Sequence, residues 1–441
     1  MEMNKPYCKT TKELAELGLA GLPGEMKSSD HLIYSSPATL YFNSPGAKGF
    51  GVKRAGLAVP ESVMLLVSPG CCGRNTSLFR SAPEYKDKFF FQLLDDTDIV
   101  TGRHLTKIPK ACEELLEVLE KQNKKRPSAI MICITCVDAL LGTDMERVCR
   151  KVTETTGVPA VACYMYALTR EKRLPPMAAV RTSVYSLLEK QEKRNSADIN
   201  IMGYFTPLFD SSEIYPLMKS LGVKNIRELS RCESFDQYKE MSKANFNLVL
   251  NPEARAAAQN MQERLGMPFI ELLRLYRIDK IHNQYKSLGD ALGANLDDSQ
   301  YYEKARKTID DFKKKHGEVV FSVGEITNGD PIEMALMLVE EGFKVKEIFA
   351  TVGELNFRFL KRLAELSPET LVYSNLSPSM MYFLESKESD EKIDVCIGSD
   401  AMYYHPDVPN VEWCDDEQPF GFDGVIKLFE RLDAALNEDK K

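Results

Sequence analysis

The 441-residue sequence has no apolar run near the roughly 20 residues that cross a bilayer, and its first ten residues are polar, with Lys5 and Lys9. It therefore reads as a cytoplasmic chain with no membrane partner. Positive charge is not in excess either: the formal net charge is −8, which argues against a nucleic-acid partner whose phosphates would have to be neutralised. No Walker phosphate loop is present. Gly49-Phe50-Gly51 lacks the third glycine at the spacing of a dinucleotide fingerprint, since Gly56 is misplaced and no clean strand precedes it. Any nucleotide hydrolysis that drives this protein falls to another chain. The five histidines, His31, His104, His282, His316 and His405, are scattered and form no H-E-x-x-H spacing.

At 44% hydrophobic residues the composition is that of an ordinary globular protein, long enough for two or three domains. Eleven cysteines stand out. In a reducing compartment they are packed side chains, reactive thiols or metal ligands. Cys112, Cys149, Cys163, Cys232 and Cys396 lie inside apolar helix or strand patterns and read as packed. Cys133 also reads as core. It forms a C-x-x-C with Cys136, but inside a strand pattern, where residues three apart face opposite sides.

Apolar runs and helical spacing alternate along the chain. The runs Val63–Val67, Ala129–Ile134 and Val158–Tyr164 read as strands, with helices over 109–121 and 144–155. A charged helix over 170–194 leads to a linker at Asn195-Ser196-Ala197. Further β runs are expected over 199–204, 246–250, 268–272, 318–323, 345–351 and 395–397, separated by helices over 212–221, 252–265, 301–315, 331–341 and 356–366. The pattern means parallel sheets covered by helices, in α/β domains over 1–195, 196–300 and 301–424. A C-terminal helix, 425–437, is expected to pack back on the first domain.

The densest chemistry follows two of the strands. Val63–Val67 runs through Ser68-Pro69-Gly70 into Cys71 and Cys72, and Ala129–Ile134 runs into Thr135-Cys136. Carboxyl ends of parallel strands form the crevice where open α/β sheets bind ligands. Two such ends carrying thiols suggest one shared metal site. His405, between Tyr404 and Pro406, reads as a surface or capping residue, and the run Asp415-Asp416-Glu417 as solvated.

Several stretches, in order, resemble the nitrogenase component I family. They are Ser68-Pro69-Gly70-Cys71, Asp98-Ile99-Val100-Thr101-Gly102, Thr135-Cys136 with Leu141-Gly142-Thr143-Asp144, Asn247–Leu250 leading to Gly266-Met267-Pro268-Phe269, and Gly421-Phe422-Asp423-Gly424. The resemblance implies an α/β fold of three Rossmann-like domains, and an iron–sulfur cluster ligated by Cys71 and Cys136 near a subunit interface. Soft thiolates on rigid strand ends suit such a cluster. Where the family has a further cysteine, this chain has Phe42-Asn43-Ser44-Pro45-Gly46-Ala47. Cys72 is therefore either the replacement ligand or a packed thiol. Two thiolates from each of two subunits would complete a 4Fe-4S cluster.

The family anchors its iron-molybdenum cofactor through a cysteine and a histidine where this chain has Asn251 and Phe420. Neither serves as thiolate or imidazole would, so no iron-molybdenum cofactor and no dinitrogen reduction are expected. The resemblance then implies an oxidoreductase component that takes electrons from an ATP-dependent iron protein and reduces a tetrapyrrole-like or other small molecule. The alternative is a non-catalytic scaffold or carrier for metallocofactor assembly. The partner subunit would be a copy of this chain or a homologue, in a dimer or heterotetramer.

Overall fold

The computed structural model describes residues 5–27, 34, 51–70, 85, 87–135, 141–164, 174–384 and 392–438. Strand β1 (Cys8–Thr10) comes first, then β2 (Val63–Pro69), β3 (Phe89–Leu94), β4 (Ile130–Ile134) and β5 (Ala160–Tyr164). Next are β6 (Asn195–Met202), β7 (Asn225–Glu228), β8 (Ala244–Val249) and β9 (Phe269–Glu271). Last are β10 (Val320–Val323), β11 (Lys344–Phe349), β12 (Leu371–Tyr373), β13 (Val395–Ile397) and β14 (Asn410–Val411). Among the described residues they form three sheets, ordered β3-β2-β4-β5, β7-β6-β8-β9 and β1-β12-β11-β10-β13-β14. All pairings are parallel except β1 on β12. The α/β fold read from the sequence is the fold observed.

The chain divides into two compact units. One, residues 49–207 and 222–273, carries the first two sheets. Its first sheet is buried on both faces, as parallel sheets require. Val63, Leu65, Val67, Ile130, Ile132 and Ile134 point into one core, while Met64, Leu66, Met131, Cys133 and Cys163 point into the other. Each such aliphatic side chain contributes about 1.5–3 kcal/mol on burial. Asn195-Ser196-Ala197, expected as a linker, instead opens β6, and the described helix before it is only Pro176–Tyr185. Strand β3, unread in the sequence, forms one edge of the first sheet.

The other unit, residues 1–48, 208–221 and 274–441, carries the third sheet. The N-terminal segment, assigned to the first domain from sequence, belongs here: β1 pairs with β12, Cys8 opposite Tyr373. The following helix, Thr11–Gly21, starts with a capping box between Thr10 and Glu13 and packs on helix Phe357–Leu366. The sequence reading sends the C-terminal helix back to the first domain. The structure seats Gly421–Glu438 on helix Ser299–His316 and on β13 and β14.

The start of that helix explains the Gly421-Phe422-Asp423-Gly424 motif. Glu213, 1% exposed, accepts hydrogen bonds from the N–H groups of Phe422 (2.7 Å) and Asp423 (3.0 Å) and from the Tyr285 hydroxyl (2.6 Å). A buried carboxylate thus satisfies otherwise orphaned amides at the positive end of the helix dipole. Gly421 has φ +65°, and a Cβ there would sit 1.8 Å from Glu213 Oε1. Burial pushes the Glu213 carboxyl up to about 6, against the lowering effect of its hydrogen bonds.

Two outcomes follow. Gly421→Ala should cost more than about 3 kcal/mol, because both the backbone and the cap must move. Gly266→Ala, at a φ of +70° with nothing within 4 Å of its Cβ, should cost about 1 kcal/mol by the same thermal unfolding measurement. For Glu213, whose folded pKa lies above its unfolded value, the linked stability is full below about pH 4.5 and lost as pH rises through about 6, a change of about 2 kcal/mol. Denaturant titrations across that window should show a flatter profile for Glu213→Gln; an unchanged slope would remove Glu213 as its source.

Candidate functional site

Each sheet has one place where the crossovers leave neighbouring strands in opposite directions, opening a crevice at the carboxyl edge. From the strand orders these places lie between β2 and β4, between β6 and β8, and between β10 and β13. Of the sequence motifs, Ser68-Pro69-Gly70, Thr135 and Asn247–Leu250 lie at the first two of these places.

The first crevice lies between the two strands that lead to the candidate ligands. Val67 pairs with Ile134, and the Thr135 N–H donates to the Val67 carbonyl at 3.4 Å. Beyond Val67 the strand β2 parts from β4, Ser68 and Pro69 staying paired with Leu93 and Leu94 of β3. Cys71, Cys72 and Cys136 themselves lie outside the described residues, as do Phe42–Ala47. Ser68 and Thr135 are 0% and 3% exposed, and the hydroxyl of each is buried without a hydrogen-bond partner. An orphaned buried hydroxyl costs free energy unless something polar arrives to meet it. Two of them at adjoining strand ends fit a site that takes a polar or anionic group, such as the sulfides and thiolates of an iron–sulfur cluster.

The six cysteines read as packed are buried or half-buried. Cys112, Cys133 and Cys149 are buried, and burial pushes each up to about 12. Cys163 and Cys396 are fully buried and raised for the same reason. Cys232, half-buried, is raised to about 11 and donates to the Glu228 carbonyl at 3.4 Å. Their burial bears out the reading of them as packed side chains.

Two of the motifs prove to be architecture. Asp98 closes a capping box with Asp95 and is ion-paired with Lys107 and Arg103, while Gly102, at φ +72°, ends the helix Asp96–Thr101. Asp144 caps helix Met145–Thr156 through the Arg147 N–H at 2.9 Å. His104, 3% exposed, joins the two motifs, its Nε2 3.0 Å from Thr143 Oγ1 and its Nδ1 3.4 Å from the Asp98 carbonyl. No local spacing in the sequence marks that link.

The second crevice contains Asn251. Its side chain accepts from the Glu253 N–H at 3.0 Å, capping the turn Pro252–Ala254. It is pressed against Gly203, where a Cβ would lie 2.9 Å from the Asn251 Cβ. Arg181, 2% exposed, donates to the Gly203 carbonyl at 2.9 Å and pairs with Glu253 at 2.7 Å. This cation beside the crevice was not anticipated, because it comes from a helix of the preceding sheet. The other departure, Phe420, is 1% exposed and packed as core.

In the third sheet's unit one expectation holds in part and one fails. His405 caps the C-terminus of helix Ser399–Tyr404, its backbone N–H donating to the Ala401 carbonyl at 3.0 Å, but its side chain is not at the surface: it is 15% exposed, and Nε2 meets the buried Glu347 carboxylate. Asp415 is not simply solvated. It pairs with Arg431, and its N–H donates to Asn328 Oδ1 at 2.6 Å. Among the described residues no cluster of three or more His, Cys, Asp or Glu is placed to hold a metal ion, and no helix is long and apolar enough to cross a membrane.

The model of the nitrogenase component 1 type oxidoreductases matches residues 48–437. The chain belongs to that family. Among curated relatives, the nitrogenase iron-molybdenum cofactor biosynthesis protein NifE of Sinorhizobium fredii is 23% identical over 433 residues, 91% of this chain and 84% of its own length. NifE of Mesorhizobium japonicum is 22% identical over 434 residues, with the same coverage of 91% and 84%. The solved structure of nitrogenase Cp1 at pH 6.5 superposes with a TM-score of 0.67 at 15% identity, covering 96% of this chain and 97% of that one. The structural likeness carries the fold. Membership of the component 1 family bears out the resemblance read from the ordered motifs.

Since their hydroxyls are buried and unmet, Thr135→Val and Ser68→Ala should leave the metal-free protein as stable as the wild type or raise its stability by about 1 kcal/mol. The same variants should retain less iron after anaerobic reconstitution. A metal-free protein destabilised by both changes would mean that the hydroxyls are already satisfied.

Proposed function

We propose that Cys71 and Cys136, with Cys72 as a third candidate, hold an iron–sulfur cluster at the first crevice, and that the chain accepts electrons there from an ATP-dependent iron protein and passes them to a small-molecule substrate other than dinitrogen. The observation that carries the reading is the pairing of β2 with β4, the two strands that precede Cys71 and Cys136 in the chain, beside two unmet buried hydroxyls. When bound, the cluster would supply one-electron storage. The chain's own part is to bind it with thiolates, exclude water with the doubly covered sheet, and aim the Ser68 and Thr135 hydroxyls at it. Hydrogen bonds of that kind raise a cluster's potential. A 4Fe-4S cluster completed by two thiolates from each of two subunits suits the incomplete ligand set, with the second subunit a copy of this chain or a homologue.

A second reading is favoured by the relatives that carry the name of cofactor biosynthesis proteins. In it the chain is a scaffold on which a metallocofactor is held and then handed on. Asn251, spent on a cap, and Phe420, spent on the core, leave no thiolate or imidazole at the places where the family anchors its cofactor. Both readings accommodate that loss.

The experiment is an anaerobic turnover assay with a matching iron protein, ATP and reductant. Reoxidation of the reduced cluster by a candidate tetrapyrrole or other acceptor supports the reductase. A cluster that no acceptor reoxidises, on a protein that delivers a bound cofactor to a second protein, establishes the scaffold instead. Cys136→Ala should lose the iron and the visible absorption, and iron at wild-type stoichiometry would strike Cys136 from the ligands. Cys72→Ala separates a ligand, whose loss removes the cluster, from a packed thiol, whose loss costs only about 1–2 kcal/mol of stability.

A further inference from the structure

The third sheet has the strand order of a dinucleotide-binding sheet. Its parallel strands, numbered from β10 in chain order, run three-two-one-four-five across β12-β11-β10-β13-β14. In such sheets the loop after the first strand and the N-terminus of the following helix cradle a phosphate. Here that loop is Gly324–Asp330, and the helix is Pro331–Glu340.

The cradle is already filled. Asp400, 0% exposed in the first turn of the short helix Ser399–Tyr404 that follows β13, accepts from the backbone N–H groups of Glu325 (2.9 Å) and Ile326 (3.0 Å). The Asn375 side chain donates to the same carboxylate at 2.7 Å. The loops approach so closely that a Cβ on Gly324 would lie 2.1 Å from Asp400 Oδ1, and one on Gly398 3.1 Å from the Gly324 Cα. The helix N-terminus is taken too: Asp330 Oδ1 accepts from the Ile332 (3.0 Å) and Glu333 (2.9 Å) N–H groups. Glu325 Oε1 meets the Thr351 N–H at the end of β11, at 2.8 Å.

We infer that Asp400 is a built-in stand-in for a phosphate, seated on the loop amides at the switch point of the third sheet, and that it closes this sheet to nucleotides and other phosphate-bearing ligands. Asp400 takes the loop amides, while Asp330 takes those of the helix. The inference holds for either reading of the chain's function, since it concerns a sheet that carries none of the candidate cluster ligands.

The test uses the full-length chain and inorganic phosphate or ADP as probes, against chloride at matched ionic strength. Wild type should retain neither probe in equilibrium dialysis and should show no phosphate-dependent shift in Tm. Asp400→Ala frees the Glu325 and Ile326 amides and should gain a rise of about 2–4 °C at roughly 50 mM phosphate, the shift expected of a millimolar ligand. Asp400→Asn still fills the space and should stay unresponsive. Asp400→Ser, which keeps a hydroxyl for the loop amides, replaces the alanine variant if that one does not fold. Stoichiometric retention of phosphate or ADP by the wild type would overturn the inference. So would a folded Asp400→Ala or Asp400→Ser that ignores phosphate, or one that responds to ADP alone.

Discussion

Each of the three sheets must change direction once, and that reversal is the constraint from which the functional geometry follows. A parallel sheet wound on both faces has one pair of neighbouring strands whose crossovers leave to opposite sides, and their carboxyl ends cannot be covered by either helix layer. Backbone amides and side chains at that edge must find partners from the loops themselves. In this protein the first reversal leads to the thiol-bearing segments, the second contains a capping asparagine, and the third contains an inward carboxylate. One architectural device repeated three times has been given three different fillings.

The fillings differ in chemistry. Asn251 and Asp400 close their loops tightly enough that glycine is needed opposite each, at Gly203 and Gly324. Ser68 and Thr135 bring buried hydroxyls without a partner to the first crevice; at the third, Asn375 Oδ1, on the side chain bonded to Asp400, is unmet as well. A native interior tolerates such groups where a bound partner supplies the missing contact. Buried carboxylates do similar closing work elsewhere in the third sheet's unit. Glu213 caps the C-terminal helix, and Glu333 accepts from the Tyr276 N–H at 2.9 Å while paired with Arg277 at 3.0 Å. Burial raises both carboxyls, to about 6 for Glu213 and about 7 for Glu333. That unit therefore balances desolvation against amide hydrogen bonds at these two carboxylates.

The strands that line the cores were legible because burial on both faces produces continuous apolar runs, and Val63–Val67, Ala129–Ile134 and Val395–Ile397 stand out for that reason. Strand β3 escaped because it is an edge strand whose alternate residues face water, so Phe89–Leu94 looks like a stray apolar patch in a loop. No local pattern foretells that β1 pairs with a strand more than 360 residues away, since such pairing is settled by tertiary contact alone. Likewise Glu213 and Asp400 look like ordinary acids in sequence. Their roles depend on amides supplied from some 200 and 75 residues away. The ordered family motifs were readable, yet the Asp98–Gly102 and Gly421–Gly424 motifs turned out to specify caps and turns, not chemistry.

That last point sharpens the functional argument. If much of the family signature in this chain is architecture, the signature alone says little about what the protein reduces or carries. Weight falls on the positions where the chain departs from the family while keeping the fold. At Asn251 the departure is not a vacancy but a working cap, tied to Glu253 and, through it, to the buried Arg181. At Phe420 it is a packed aromatic immediately before a glycine that must contact Glu213. Both places have been absorbed into the structure, so restoring an anchor would disturb a cap in one case and the core in the other. On the proposed reading, a chain that has built over these two positions keeps the first crevice for an electron-transfer centre and does not fix a second metallocofactor through Asn251 or Phe420. Whatever second ligand it serves must be held by contacts other than a thiolate and an imidazole at those two places.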